Sequence, residues 1–152
     1  MKPIRNSAKA VIIVDGKILL TKNIDDSGYF YLFPGGGQEP GEELHAAVVR
    51  ECREEIGAAV TVGELLFVRE YIGENHQFAA VDFDLHQVEF YFRCSLEGNA
   101  SNLTNGAQPD TYQVGVEWVD LQQLEQIRVY PQQLGKKLHE QIDRPVYLGD
   151  VN

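Results

Sequence analysis

The chain is poor in several features that would each point to a different kind of protein. Only two cysteines occur in 152 residues. Cys52 and Cys94 stand within apolar patterns and neither belongs to a CxxC pair, so both read as reduced core residues, not as a zinc or redox site. No run of about 18 apolar residues is present, and Met1-Lys2-Pro3-Ile4-Arg5 lacks the apolar stretch of a leader peptide, so a cytoplasmic protein with no membrane partner is expected. Positive charge is scarce as well: 13 Lys and Arg face 23 Asp and Glu, a formal net charge of −10. That balance repels a phosphate backbone over long range and argues against nucleic acid as a partner. The same excess of carboxylates suits capture of divalent cations, although acidic surfaces also serve solubility alone.

Internal repeats, low-complexity tracts and linkers are absent too, and residues 1–152 read as a single domain able to bury about two-thirds of its unfolded surface. Ala8 to Val14 and Lys17 to Lys22 are apolar runs either side of Asp15-Gly16, which predicts a β-hairpin. Asn23 to Gly28 reads as a polar loop, and Tyr29 to Phe33 as a strand stopped by Pro34 and a glycine-rich loop, Gly35-Gly36-Gly37. Leu44, Val48, Val49, Cys52 and Ile56 then fall on one side at helical spacing, predicting a helix over Glu43 to Ile56 that ends at Gly57. Further strands are expected at Val60–Tyr71, Gln87–Cys94 and Gln113–Val119, with a mobile loop over Gly73–Asp84 and a second long loop over Asn99–Thr111. The tail from Leu121 to Ile142 carries two short helical patterns broken around Pro131.

The chemistry concentrates between Gly36 and Ala58, GGQEPGEELHAAVVRECREEIGA. Glu51, Glu54 and Glu55 stand at i, i+3 and i+4, so their side chains share one edge of the predicted helix within reach of a common ion. Three acids so close repel one another unless a cation sits among them, and hard oxygen donors suit Mg²⁺ or Mn²⁺. Arg50 precedes Glu54 by four residues and can brace it through a charge-assisted bond. Gly35, Gly36 and Gly37 would let backbone approach a diphosphate ahead of a helix N-terminus entered through Gly41-Glu42. The competing explanation, a solvated and salt-bridged helix face, leaves the triple glycine unexplained.

These residues resemble the Nudix box, Gx5Ex7REUxEExGU with U a bulky aliphatic, matching at Gly36, Glu42, Arg50, Glu51, Glu54, Glu55 and Gly57. Cys52 and Ala58 occupy the U positions with smaller side chains than usual. The resemblance implies an α/β fold, the Nudix α/β/α sandwich with a mixed curved sheet, the box helix on one side and a C-terminal helix on the other. It implies Mg²⁺-dependent hydrolysis of a pyrophosphate bond in a nucleoside diphosphate linked to another group, an ADP-sugar or a (deoxy)nucleoside triphosphate, releasing a nucleoside monophosphate. Glu51, Glu54 and Glu55 would be the metal ligands with the Gly36 carbonyl. Arg50 would orient them, with Glu42 supporting Arg50 or the ion's shell, and Glu54 would take the proton of the attacking water, with Glu89, Asp110 and Glu117 as alternatives outside the box. A homodimer is a family expectation. Specificity lies outside the box, where Tyr71, His86, Tyr91 and Trp118 are candidate stacking surfaces and Glu70 a neighbour of the same cleft. Two other readings remain open: a non-catalytic Nudix-fold nucleotide or sugar sensor, and a transcript 5′-end pyrophosphohydrolase, which the net charge disfavours.

Overall fold

The computed structural model describes residues 2–98 and 103–152. Its scaffold starts from the predicted hairpin: β1 (Arg5–Val14) turns at Asp15 and Gly16, both with positive φ, into β2 (Lys17–Asp25), so that Val14 faces Lys17 across a two-residue turn. The polar stretch expected to be a loop from Asn23 begins instead as strand. Asn23 is buried, its amide bonds Thr21, and its backbone registers with Phe30 of β3 (Gly28–Leu32). The pairing consumes the polar groups that made the segment look exposed.

Among the described residues a nine-stranded mixed sheet grows from this hairpin. It adds β4 (Gly35–Gly37), β5 (Val60–Ile72), β6 (His86–Leu96), β7 (Gln113–Asp120), β8 (Val129–Tyr130) and β9 (Val146–Asp150). Along its main path the order is β8-β3-β2-β1-β6-β5-β9, with β4 on β1 and β7 on β2. The contacts β1–β6, β3–β8 and β5–β9 are parallel and the others antiparallel. Neither β8 nor β9 is signalled by local sequence, because each is short and gains its definition from a parallel neighbour far away in the chain.

The glycine triplet is therefore not the flexible bend that its composition suggests. Gly35, Gly36 and Gly37 pair antiparallel with Lys9, Ala8 and Ser7, and a side chain on Gly35, which has φ +140°, would strike the Ala8 carbonyl. Its glycine permits a close strand crossing. The supposed mobile loop after β5 is likewise built, as a 3₁₀ turn at Gly73–Asn75 and the short α2 (Ala79–Asp82). Gly73 leaves room for the Asp82 carbonyl to fold against it. In the second expected loop, positions 99–102 lie outside the described residues. The part that follows caps the box helix: Gly106 and Gln108 donate their backbone N–H groups to the Glu55 and Glu54 carbonyls.

That helix, α1 (Leu44–Ile56), ends at left-handed Gly57 as predicted. Ala47, Val48, Cys52 and Ile56 pack onto Ala8, Ala10 and Ile12, one alternate set of β1 side chains. On the other side of the sheet lie Val11, Ile18, Leu20, Phe67 and Tyr91, covered by the 3₁₀ turn Leu121–Gln126 and by α3 (Gln133–Lys137) through Leu124 and Leu134. The mixed curved sheet thus lies between α1 and the C-terminal helix. Cys52 and Cys94 are buried free thiols in the α1-side core. Among the described residues, no helix is long and apolar enough to cross a membrane.

Candidate active site

The site forms where the N-terminal half of β1, strand β4 and α1 meet. Arg50 is its organiser. Its guanidinium reaches Glu42 at 2.7 Å, Glu51 at 3.0 Å and Glu54 at 3.2 Å, and donates to the Gly37 carbonyl at 2.9 Å. Glu42 in turn accepts the Glu39 backbone N–H, and the bond from Arg50 holds its carboxyl below the usual carboxylate range. One cation therefore fixes three acids of the helix and its entry loop, leaving a surplus of negative charge.

The two acids nearest strand β4, Glu55 and Glu51, are shielded from water. Glu55 is 2% exposed, accepts the Gly35 backbone N–H at 3.1 Å and, through burial above all, is raised to about 8. Asp110 contributes to that rise by its charge, while Lys9, whose Nζ donates to the Gly35 carbonyl at 3.3 Å, opposes it. Desolvation likewise raises Glu51, against the pull of Arg50. Gly36 explains how Glu51 lies so low: a Cβ there would stand 2.6 Å from its carboxyl carbon, so only glycine lets the carboxylate rest on the strand.

As they stand, no three acid, histidine or cysteine side chains among the described residues are gathered closely enough to hold an ion. Glu51 and Glu54 are turned onto Arg50, and Glu55 onto Gly35. The donor set still fits a hard divalent cation, because desolvated carboxylates crowded beside a bare backbone strand are what such an ion relieves.

A model of the NUDIX domain matches residues 4–141. The chain belongs to the Nudix family. A CTP pyrophosphohydrolase of Escherichia coli K12 is 47% identical over 57 residues, covering 36% of this chain and 42% of that protein. The nucleoside triphosphatase NudI of Escherichia coli O1:K1 is 44% identical over 54 residues, 34% of this chain and 38% of its own length. The chain thus matches about two-fifths of these relatives. A crystal structure of a MutT Nudix hydrolase from Burkholderia pseudomallei superposes with a TM-score of 0.68 at 25% identity, over 90% of this chain and 98% of that one. Nudix hydrolases generally use divalent metal ions.

Beside the Nudix box, on the sheet face away from α1, opens a cleft of about 730 Å³. Lys9 joins the two, since it touches Gly35 and also lines the cleft with Arg69, Tyr71, Gln87 and Glu89. Arg69 and Glu89 are paired at 2.7 Å and almost wholly buried. Burial alone would raise Glu89, but the charges of Arg69 and Lys9 and its hydrogen bonds bring it down to about 2. It is ionised and engaged, a poor proton acceptor. Phe30, Phe78 and Tyr130 supply an aromatic wall, Phe78 and Tyr130 meeting edge to face at 5.4 Å. Arg128 lies over both Phe30 and Tyr130 while its charge is spent on Asp25.

The specificity residues expected from sequence divide sharply. Tyr71 does line the cleft, with its hydroxyl bonded to Asp82 of α2 and its ring stacked on His76. Glu70 does not share it. Strand alternation turns its carboxylate to the opposite face, where His86 and the Tyr147 hydroxyl hold it, so His86 also leaves the set. Tyr91 is 1% exposed, set edge-on to Phe33 and bonded to Glu89, with no face free for a base. Trp118 packs on the α1-side core, and Glu117 accepts from Tyr31 near Lys22. Neither lines the cleft. Asp110 is placed where Glu55 feels its charge. Lys9, Arg69, Gln87 and the aromatic wall were not anticipated; the available signal was the period-two series Phe67, Arg69, Tyr71 facing Gln87, Glu89, Tyr91.

Proposed function

We propose that the chain hydrolyses a pyrophosphate bond in a nucleoside diphosphate linked to a further group and releases a nucleoside monophosphate, with Mg²⁺ as the working ion. The observation that carries this is the grip of Arg50 on Glu42, Glu51 and Glu54 beside a strand whose Gly36 is bare enough for Glu51 to lie against it. Glu51, Glu54 and Glu55, with the Gly36 carbonyl, are the oxygen donors for the ion. When bound there, it neutralises charge on the pyrophosphate and makes a water easier to deprotonate.

The chain's own residues supply the rest. Arg50 holds the acids in place, Glu42 holds Arg50, and Lys9 brings positive charge between the box and the cleft. Glu54, the most exposed of the three box acids on Arg50, is the group to accept the proton of the attacking water. Glu89 is set aside as a base because its charge is fully engaged. The names of the two Escherichia coli relatives favour nucleoside triphosphates among the substrates.

Incubation with nucleoside triphosphates, deoxynucleoside triphosphates, ADP-ribose and nucleotide sugars plus Mg²⁺, with phosphate measured after phosphatase coupling, tests it. Turnover of at least one class with monophosphate as product is expected. Tight binding without turnover across the panel would instead identify a sensor.

A further inference from the structure

Strand β4 pairs with β1 alone among the described residues, so one of its edges carries no neighbouring strand. Side chains take the backbone groups left unpaired there. The Gly35 N–H donates to Glu55, while the Gly35 carbonyl accepts from Lys9 and the Gly37 carbonyl from Arg50. These side chains come from opposite faces of the sheet. Glu55 and Arg50 belong to α1, which packs on Ala8, Ala10 and Ile12, whereas Arg5 and Lys9 alternate with that set and share the face of Val11. The glycines record the same division. A Cβ on Gly36 would meet the Glu51 carboxyl, and a Cβ on Gly37 would stand 2.5 Å from a guanidinium nitrogen of Arg5. Acids braced by Arg50 therefore line one face of the bare strand, and two cations line the other.

These two cations are uncommitted. Arg50, Arg69 and Arg128 are each paired with carboxylates, but neither Arg5 nor Lys9 joins an ion pair among the described residues. In a chain of net charge −10, unmatched cations beside a bare backbone strand call for an anion. A guanidinium answers a phosphate with two parallel charge-assisted bonds, whereas the hydroxyl groups of a sugar leave its charge unmatched.

Spacing narrows the anion. Gly35 and Gly37, against which the two cations lie, are two strand residues apart, about 7 Å. That separation suits the end phosphates of a triphosphate and is too long for two adjacent ones. Each cation also opens on its own cavity. Lys9 lines the cleft of about 730 Å³, and Arg5 lines a smaller one of about 420 Å³ with Asn6, Gln38, Glu39 and Glu42. Of its two acids, Glu42 is matched by Arg50 at 2.7 Å, and Glu39 is 67% exposed, so that water screens its charge.

We infer that Arg5 and Lys9 are specificity-determining residues, the two ends of a rail along β4 that takes a triphosphate in preference to a diphosphate. The inference rests on the proposed hydrolysis only for the direction of the chain, which puts the terminal phosphate at Arg5. Lys9 then serves both classes of substrate, and Arg5 serves the longer one.

The test uses the whole chain, wild type beside Arg5→Gln, Arg5→Lys, Gly37→Ala and Lys9→Met. Calorimetric titration with the α,β-methylene analogues of ATP and ADP in Mg²⁺ is set against kcat and KM for ATP and ADP. Wild type should bind the triphosphate analogue about tenfold more tightly than the diphosphate analogue, and Arg5→Gln should bring the two within about twofold, with the loss falling on KM. Gly37→Ala, whose methyl group displaces the guanidinium without removing it, should act in the same direction. Arg5→Lys should keep part of the preference, because it restores the charge without the fork. Lys9→Met should weaken both analogues by a similar factor. Unchanged melting temperatures show that the fold is retained. A preference identical in wild type and Arg5→Gln, with ATP still hydrolysed, would overturn the inference and leave the proposed function standing. A preference that Arg5→Gln and Gly37→Ala both remove, in a protein that hydrolyses nothing in the substrate panel, would do the reverse.

Discussion

Arg50 and Arg69 both hold carboxylates at hydrogen-bonding distance, yet they make opposite kinds of site. Arg50 keeps a quarter of its side chain exposed and gathers Glu42, Glu51 and Glu54 at hydrogen-bonding distance with Glu39 at 3.9 Å, so one positive charge meets four negative ones. Arg69 is nearly sealed and meets one acid, Glu89, while its Nη1 donates to a backbone carbonyl and an amide oxygen. The first cluster carries surplus negative charge and is the proposed seat of a cation, whereas the second is balanced and closed. An ion pair of the closed kind orders its neighbours without calling for a further ion, because its two charges already match. The difference teaches that counting acids around an arginine separates a reactive centre from a scaffold.

The comparison is broken most severely at the open cluster. Glu54→Gln removes a charge without changing volume, and kcat should fall by about 10²–10⁴-fold while the thermal transition stays near wild type. Near-wild-type turnover would remove Glu54 from its role. At the closed cluster the same kind of loss should appear as stability, since Glu89→Ala strands Arg69 in the interior at a cost of about 3–5 kcal/mol, measured by urea unfolding. Replacing both partners, Arg69→Met with Glu89→Leu, should restore much of that stability. A double variant no better than the single one would mean that the pair is not the self-contained unit described.

The closed pair also has a pH signature. Burial tends to raise the Glu89 carboxyl, but the Arg69 and Lys9 charges outweigh it and leave the folded value at about 2 against an ordinary 4.5. A folded pKa below the unfolded one stabilises fully above pH 4.5 and is lost as pH falls toward 2. Over that window the stability difference between wild type and Glu89→Gln should shrink, by an amount on the order of 3 kcal/mol for a shift this large. Urea midpoints at a series of pH values would show it, and a difference constant from pH 6 downward would contradict it.

Legibility in the sequence follows the same division. The box was readable because its geometry is local: helical spacing puts Glu51, Glu54 and Glu55 on one edge, and Gly57 ends the helix within the same stretch. The cleft was not, since Phe30, Tyr71, Phe78, Gln87, Tyr130 and Asn152 come from separate elements that only the sheet pairing assembles. Alternation alone tells that Glu70 and Tyr71 point opposite ways. Which of them faces the cleft is decided by the partner strands β6 and β9, and β9 has no local signature. Tyr91 misled for a related reason, because an aromatic in a strand is equally consistent with a core ring and a stacking surface, and Phe33 had already claimed its ring. The glycine triplet read as a loop because composition cannot reveal that it pairs with β1.

The smallest predicted effect sharpens the contrast between binding geometry and fold. Gly36 is a strand residue without positive φ, so alanine there strains no backbone; its Cβ would instead stand 2.6 Å from the Glu51 carboxyl. That carboxyl is the far end of a flexible side chain and can move aside at little cost to stability. It cannot move without leaving the strand surface on which it rests and loosening its 3.0 Å bond from Arg50. Gly36→Ala should therefore cost less than about 1 kcal/mol in unfolding free energy, while kcat/KM falls by about tenfold as a misplaced ligand weakens the site. Gly35→Ala reverses the balance, since its Cβ would meet the Ala8 backbone carbonyl, which has no side-chain freedom with which to yield. Parallel measurement of unfolding and turnover in the two variants separates the roles of adjacent glycines; an equal loss of stability in both would mean that Gly36 serves the strand crossing rather than the carboxylate.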